Sequence, residues 1–127
     1  MDEGAARAMI DDHFAHCGRD EVRASRLYAD DVVLEFPQGG ERVRGRDAIT
    51  AFRSSYPAKL SFEVHRVTGR DDLWVNEYTI RYDDADPHRV VGIMEFADGL
   101  VARETVYVTK PWEPPAWRSR WVEPIEG

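Results

Sequence analysis

The hydrophobic pattern changes its period near the middle of the chain, and this change limits the possible folds more than any other feature. Before Pro57, apolar residues mostly recur at the three- and four-residue spacing of amphipathic helices. From Leu60 onward, four long runs alternate between apolar and polar residues, as half-buried strands do. Helices followed by an antiparallel meander predict an α+β domain, with the helices packed on one face of a curved sheet.

Caps and chain breakers indicate where the individual elements begin and end. Gly18 ends the first helix, and Asp20 and Asp47 are the expected N-caps of the second and third helices. Residues 28–31 are turn-like, and Asp98-Gly99 is typical of a hairpin connection. The predicted helices cover residues 4–17, 20–27 and 48–56, and the predicted strands cover residues 32–36, 60–67, 73–82, 89–96 and 100–109.

Composition excludes several classes of protein. A chain of 127 residues with 43% hydrophobic and 32% charged residues predicts one globular domain. The net charge of −7 argues against nucleic acid or an anionic membrane as the main partner. The single cysteine, Cys17, excludes a disulfide framework. No apolar run approaches the ~20 residues of a membrane helix and no signal-peptide pattern is present, so we expect a cytoplasmic location.

Several short segments, taken in order, carry a family resemblance over nearly the whole chain. They resemble the NTF2-like superfamily and, within it, the bacterial SnoaL-like (polyketide-cyclase-like) domains. The resemblance implies a cone-shaped α-α-β-α fold followed by a four-strand meander, an internal cavity, no cofactor and usually a homodimer. It does not imply one reaction, because this fold hosts isomerases, hydrolases, cyclases, dehydratases and binding proteins. The segments are Leu27-Tyr-Ala-Asp-Asp31, Glu35-Phe-Pro37, Gly45-Arg-Asp-Ala-Ile49, Glu95-Phe-Ala-Asp-Gly99 and Pro111-Trp-Glu-Pro-Pro-Ala-Trp117.

Two activities of the superfamily lack their residues in this chain. Ketosteroid isomerases are similar, but the positions of their aspartate base, oxyanion-holding aspartate and helix-1 tyrosine fall at or near Phe36, Gly92 and Asp12. The chain also resembles limonene-epoxide hydrolases, but the positions of their site residues hold Val33, Glu35, Tyr78, Ile80 and Val106. The resemblance therefore favours neither isomerisation nor epoxide hydrolysis by the known route.

Strand parity selects candidate cavity residues, because alternate residues of a strand face opposite sides of the sheet. Within residues 73–82, the face that includes Trp74, Asn76 and Tyr78 is rich in aromatic residues, so we assign it to the cavity. The same argument directs Glu104 inward, together with Ala102, Val106 and Val108. In the first strand, its position two residues before Pro37 places Glu35, together with Val33, toward the cavity.

Glu35 and Glu104 are thus expected to be two carboxylates in a mostly apolar space, with no arginine or lysine evident on the same face. Burial without a charge partner raises a carboxyl pKa and suits general acid–base catalysis. Alternatively, each carboxylate accepts hydrogen bonds and only shapes the cavity. We predict Glu35, Glu104 and His16 as catalytic candidates. The predicted substrate-binding residues are Tyr78, Asn76, His13, Phe36, Met94 and Val106.

The spacing of Asp12, His13 and His16 could also suggest a metal site on the first helix, since residues three apart share a face. No third strong ligand is evident, so we expect a histidine pair at the surface or core edge and no metal. One of the two histidines can still border the cavity as a proton carrier.

Two hypotheses about function follow. One is an enzyme that isomerises, cyclises, dehydrates or hydrates a small hydrophobic carbonyl compound by proton transfer. The other is a binding module whose cavity holds a hydrophobic ligand without chemistry. We further expect the Trp-rich tail, residues 110–127, to pack on the domain, and a homodimer to form through the outer sheet face unless the tail covers that face. The apolar residues expected there are Val75, Thr79, Ile93, Val101, Thr105 and Tyr107.

Overall fold

A computed structural model describes residues 1–125. Within this range the chain forms three α-helices, six strands and two short 3₁₀ helices. None of the described helices combines the length and apolar character needed to cross a membrane. The helices are α1 (Glu3–His16), α2 (Glu21–Ala24) and α3 (Arg46–Ser54), with 3₁₀ turns at Ser25–Leu27 and Ala116–Arg118; the strands are β1 (Tyr28–Phe36), β2 (Glu41–Arg44), β3 (Leu60–Arg70), β4 (Leu73–Tyr82), β5 (His88–Ala97) and β6 (Leu100–Thr109).

The described strands form one unclosed sheet in the order β2-β1-β6-β5-β4-β3. Strands β3 to β6 are the predicted antiparallel meander, and β1 adds to it by pairing parallel with β6. Asp71, Asp98 and Gly99 adopt positive φ angles of 54°, 53° and 81° in the tight turns of this meander. The α+β class and the order of helices and meander are therefore confirmed.

The core lies between the helices and one face of the sheet. Helix α1 buries Ala6, Ile10 and His13 against it, and α3 buries Ile49. The Asp2 carboxylate accepts a hydrogen bond from the Ala5 amide at 2.9 Å and so caps α1. Fully buried core residues from the sheet are Val32, Leu34, Trp74, Met94 and Val101.

Several predicted boundaries are wrong at the edges of elements. Strand β1 begins at Tyr28, because Tyr28 pairs with Val101 before the register shifts ahead of Val33. The N-cap of α3 is Gly45, at φ 94°, and Asp47 lies in the first turn of the helix instead. Strand β2 was not expected, because its four residues are mostly charged and carry no alternating pattern.

A bulge in β6 changes which residues face the core. The β5–β6 register passes from Glu95↔Arg103 to Phe96↔Val101, so Ala102 is an extra residue in β6. Val101 is consequently fully buried, and its predicted place on the outer face is wrong. Thr79 lies on the outer face as predicted, but it is only 5% exposed.

The tail after β6 leaves its tryptophan rings in solvent. Trp112, Trp117 and Trp121 are 73%, 75% and 70% exposed. Arg118 and Arg120 lie over the Trp112 and Trp121 rings at 5.9 and 4.9 Å, so these two rings contact arginines of the tail itself. The expectation that the three rings pack on their own domain is therefore wrong. The last two residues of the predicted tail lie outside the described range.

Candidate functional site

A cleft of about 530 Å³ opens between α1, α3 and the inner face of the sheet. Its wall is mostly apolar and rich in aromatic rings, with polar groups among them. This is the usual composition of a small-molecule site. The rings come from Phe14, Phe36, Phe52, Tyr56, Phe62 and Tyr82, and the polar or ionisable groups include His13, Cys17, Glu21, Glu41, Arg42, Arg53 and Tyr78.

A buried network of Tyr28, Arg53 and Glu104 lies behind this cleft. The Tyr28 hydroxyl donates a hydrogen bond to Glu104 Oε1. Arg53 Nη1 donates to the Tyr28 hydroxyl at 2.7 Å, and Arg53 Nη2 lies 3.5 Å from Glu104 Oε1. Burial raises the pKa of Tyr28 well above its usual range, so the phenol keeps its proton and acts as a donor. Both contacts to Glu104 hold the same oxygen, Oε1.

Glu104 faces inward, as strand parity indicates, and it is 1% exposed. The expectation that it has no cationic neighbour is wrong, because Arg53 reaches it from the last turn of α3. Burial disfavours the Arg53 charge, but the hydrogen bond to the Tyr28 hydroxyl and the attraction of Glu104 outweigh this and raise the Arg53 pKa. The guanidinium is therefore charged and balances a carboxylate.

The sequence did contain a signal for Arg53. It follows Ile49 by four residues and precedes Tyr56 by three, so it shares the inner face of α3 with them.

A carboxylate oxygen and a hydroxyl group converge beside Gly92 on β5. A Cβ atom added to Gly92 would lie 3.4 Å from Glu104 Oε2 and 3.6 Å from the Tyr78 hydroxyl oxygen. Any larger side chain at position 92 would fill the space between them. Burial raises the pKa of Tyr78, so its hydroxyl stays protonated and can donate a hydrogen bond into this space. The site thus pairs a potential proton acceptor with a proton donor.

His13 and Cys17 form a second polar pair on the α1 wall of the cleft. His13 Nδ1 donates to the Ala24 carbonyl at 2.6 Å, which leaves Nε2 as an acceptor 3.4 Å from Cys17 Sγ. Burial lowers the pKa of His13 to about 4 and raises the pKa of Cys17 to about 12. At neutral pH the pair is a thiol and an uncharged imidazole, which is not the charge state of a cysteine nucleophile.

Glu35 lies outside the cleft. Val32 and Leu34 of β1 are buried on the inner face, so the alternation of side chains directs the neighbouring Glu35 to the other face. There it forms ion pairs with Arg42, at 3.2 Å, and with Arg103. The prediction of an inward, unpaired Glu35 is wrong, because the apolar residues of β1 occupy the inner face.

The remaining predicted site residues divide into two groups. His13, Tyr78, Phe36 and Val106 line the cleft. His16 does not; its Nδ1 donates to the Asp12 carbonyl at 2.8 Å, along the partly exposed side of α1. Asn76 and Met94 are fully buried and are not part of the lining. Within residues 1–125, no group of three His, Cys, Asp or Glu side chains is arranged to hold a metal ion.

The fold and this helix-covered cleft define a domain of the NTF2-like type. The SnoaL-like domain profile matches residues 6–104, and the chain belongs to that family. No curated protein sequence matches the chain.

Solved structures show the same relationship. An NTF2-like protein of unknown function from Burkholderia xenovorans is 40% identical, with a TM-score of 0.86 over 97% of both chains. A proposed ketosteroid isomerase from Kribbella flavida is 29% identical, with a TM-score of 0.86 over 98% of this chain and 92% of its own. An LEH-like epoxide hydrolase from Mycobacterium tuberculosis is 20% identical, with a TM-score of 0.68 over 83% of each chain, and shares the fold alone.

Proposed function

We propose that the cleft binds a small, largely apolar molecule with a carbonyl group, and that Glu104 and Tyr78 transfer protons on it without a cofactor. The observation that carries this proposal is the convergence of Glu104 Oε2 and the Tyr78 hydroxyl beside Gly92. Isomerisation, cyclisation or dehydration of such a compound all begin with this type of proton transfer. The aromatic wall of the cleft supports an apolar substrate body.

The roles follow from the charge state of each group. Tyr78 donates a hydrogen bond to the carbonyl oxygen, where negative charge develops. Glu104 Oε2 takes a proton from the adjacent carbon, and the electron pair of the broken C–H bond forms the C=C bond of an enolate. In a β,γ-unsaturated ketone, Glu104 returns the proton to the γ-carbon and the product is an isomer. In a β-hydroxy ketone, the hydroxyl group takes up the proton from Glu104 and leaves as water, which gives a dehydrated product. Arg53 and Tyr28 orient Glu104 by holding its other oxygen.

This set of residues differs from that of the ketosteroid isomerases. The position nearest their oxyanion-holding aspartate is Gly92, and here it leaves the space in which we place the reacting carbonyl group. Tyr78, from the neighbouring strand β4, takes over the hydrogen-bond donor role. The name of the Kribbella flavida relative is consistent with the reaction class but does not specify this chemistry.

Exchange of carbon-bound hydrogen in D₂O tests the proposal without knowledge of the natural substrate. A panel of cyclic and aromatic ketones is incubated with the protein, and α-deuteration is followed by mass spectrometry. We expect catalysed exchange with at least one ketone, and a loss of about 10²-fold or more in Glu104→Gln. Glu95→Gln, an exposed change on β5, is the matched control. Equal exchange rates in wild type and Glu104→Gln would refute the role of Glu104.

Because Glu104→Gln leaves the buried Arg53 without its carboxylate, this variant can lose stability as well as activity. Gly92→Ala provides the second test. Its Cβ would meet Glu104 and Tyr78 atoms at 3.4 to 3.6 Å, which is ordinary van der Waals contact, so the fold should be kept. We expect a normal melting temperature together with lost exchange, since the methyl group occupies the space of the carbonyl. A folded Gly92→Ala variant with full exchange would contradict the proposed geometry.

The alternative is a binding module without catalysis. One observation favours it: Glu104 is only 1% exposed, and the lining of the cleft does not include it. In that case the buried network only shapes the binding site. Ketones would then bind to the wild-type protein and to Gly92→Ala, and no exchange above the uncatalysed rate would occur in either.

We also propose a cytoplasmic homodimer in which the outer faces of two sheets pack together. This face exposes Val91 by 37% and Tyr107 by 42%, and it carries both acidic and basic side chains, among them Glu95 and Arg103. In a two-fold dimer the same face of both copies meets. The acidic side chains of one copy can then lie opposite the basic side chains of the other, around an apolar centre. Light scattering should give about twice the 14.6 kDa chain mass, and a monomer mass at micromolar concentration would exclude the dimer.

A further inference from the structure

A second pocket of about 300 Å³, here called the side pocket, continues from the cleft between the end of α1 and the start of β3. Glu21, Arg53, Tyr56 and Leu60 line both spaces, so the two are adjacent and share a wall. The lining of the cleft is mostly apolar and rich in aromatic rings, whereas the side pocket adds two further cationic residues, Arg19 and Lys59. A ligand that spans both spaces would meet an apolar surface at one end and positive charge at the other.

The backbone brings these cations together at Gly18. Its φ of 79° is left-handed, and a Cβ there would lie 2.7 Å from the Leu60 carbonyl oxygen. A residue with a side chain would thus push the Arg19 segment away from the Lys59 segment. The close approach of these two segments forms the side pocket.

The lining of the side pocket carries more positive than negative charge. Its lining has three cations, Arg19, Arg53 and Lys59, and one carboxylate, Glu21, although the whole chain has a net charge of −7. The negative charge of the buried Glu104 balances the positive charge of Arg53. The negative charge of Glu21 balances one of the two remaining positive charges in the lining. One positive charge is left, which matches a ligand with a single negative charge.

Arg53 is also able to bind such a ligand directly. A guanidinium has five N–H donors, and the contacts to Tyr28 and Glu104 use two of them. Its side chain is 19% exposed, and it lines both the cleft and the side pocket. Arginine is well suited to carboxylates, because two parallel N–H groups match the two oxygens.

From this geometry we infer that the ligand is a carboxylic acid: its apolar body occupies the cleft, and its carboxylate binds in the side pocket to Arg53, with Arg19 and Lys59 adding attraction. This inference rests on the proposed function, since it uses the same cleft, and it specifies the substrate class. The carbonyl compound that Glu104 and Tyr78 act on is then a keto acid. A single carboxylate completes the charge balance, whereas a phosphate dianion exceeds it.

Calorimetric titration with shape-matched probes tests this inference. The probes are 2-naphthylacetate, its uncharged primary amide and 2-naphthyl phosphate, with decanoate and decanamide as an aliphatic pair. We expect each acid to bind about tenfold more tightly than its amide, and this preference to weaken at high salt. Arg19→Gln/Lys59→Gln should reduce the preference by about threefold, because Arg53 still binds the carboxylate, and should leave amide binding unchanged. Arg26→Gln/Arg70→Gln removes the same charge at residues outside both spaces and should keep the preference.

The outcomes separate this inference from the proposed function. Equal binding of acid and amide would overturn the carboxylate assignment. A preference that is unchanged in Arg19→Gln/Lys59→Gln would overturn the placement of the carboxylate in the side pocket. In both cases the cleft remains a binding site. Tighter binding of the phosphate than of the acid would overturn the choice of a monoanion. No binding of any probe to the wild-type protein would overturn the proposed function and this inference with it.

Discussion

The buried imidazole of His13 should make the protein sensitive to mild acid. His13 is 3% exposed, and burial lowers its pKa from the ordinary 6.5 to about 4. The attraction of Glu104 acts in the opposite direction, and the repulsion of Arg53 adds to the lowering. The folded protein therefore keeps His13 neutral at a pH where the unfolded chain binds a proton on the same side chain.

The sign and size of the effect follow from linkage. Since the unfolded state binds more protons between these two pKa values, stability is full above about pH 6.5 and falls as the pH drops toward about 4. Each pKa unit corresponds to about 1.4 kcal/mol, so His13 alone costs about 2 kcal/mol at about pH 5 and about 3 kcal/mol at about pH 4. This is a large part of the stability of an ordinary small domain.

Urea unfolding followed by circular dichroism, at about pH 7.5 and about pH 5, measures the effect. His13→Asn removes the titration while offering an amide donor near the position of Nδ1. We expect this variant to be less stable than wild type at about pH 7.5, because it leaves a cavity. Between about pH 7.5 and about pH 5, its free energy of unfolding should fall by about 2 kcal/mol less than that of wild type. His16→Asn, on the partly exposed side of α1, should follow wild type. Parallel losses in wild type and His13→Asn would refute the reasoning.

Three further outcomes are expected. Tyr78→Phe should melt near the wild-type temperature but bind carbonyl ligands about tenfold more weakly in titrations, because the cleft loses a hydrogen-bond donor; unchanged affinity would contradict its donor role. Glu35→Gln should change the unfolding free energy by less than about 1 kcal/mol and leave ligand binding intact, since Glu35 forms ion pairs on the outer face. Truncation after Lys110 should leave the melting temperature of the monomer within about 3 °C of wild type, because the tail tryptophans are exposed; a large drop in a thermal melt would show that the rings do pack.

The sequence was most informative where structure depends on local pattern. The bounds of β4 and β6 agree with the predicted residues, because a period-2 alternation of apolar and polar side chains is visible over ten residues. The same alternation placed Tyr78 on the inner face of β4. The turn at Asp98-Gly99 was equally clear, since its residues tolerate positive φ.

Features that depend on pairing between distant strands were not predicted. The bulge at Ala102 is a property of the β5–β6 register, and no local signal indicates it. The four residues of β2 become a strand by pairing with β1. The inner face of β1 is set by the fit of Leu34 into the core, and counting back from Pro37 therefore assigned Glu35 to the wrong side.

The electrostatic environment of the site was determined by tertiary structure alone. Parity correctly directed Glu104 inward, but its partners Arg53 and Tyr28 are 51 and 76 residues away in the chain. Whether a buried carboxylate is a lone acid or part of an ion pair depends on distances of a few ångströms between such residues. The alternation of side chains along a strand determines which face a residue occupies, whereas the packing of α3 against the sheet determines which charge it meets.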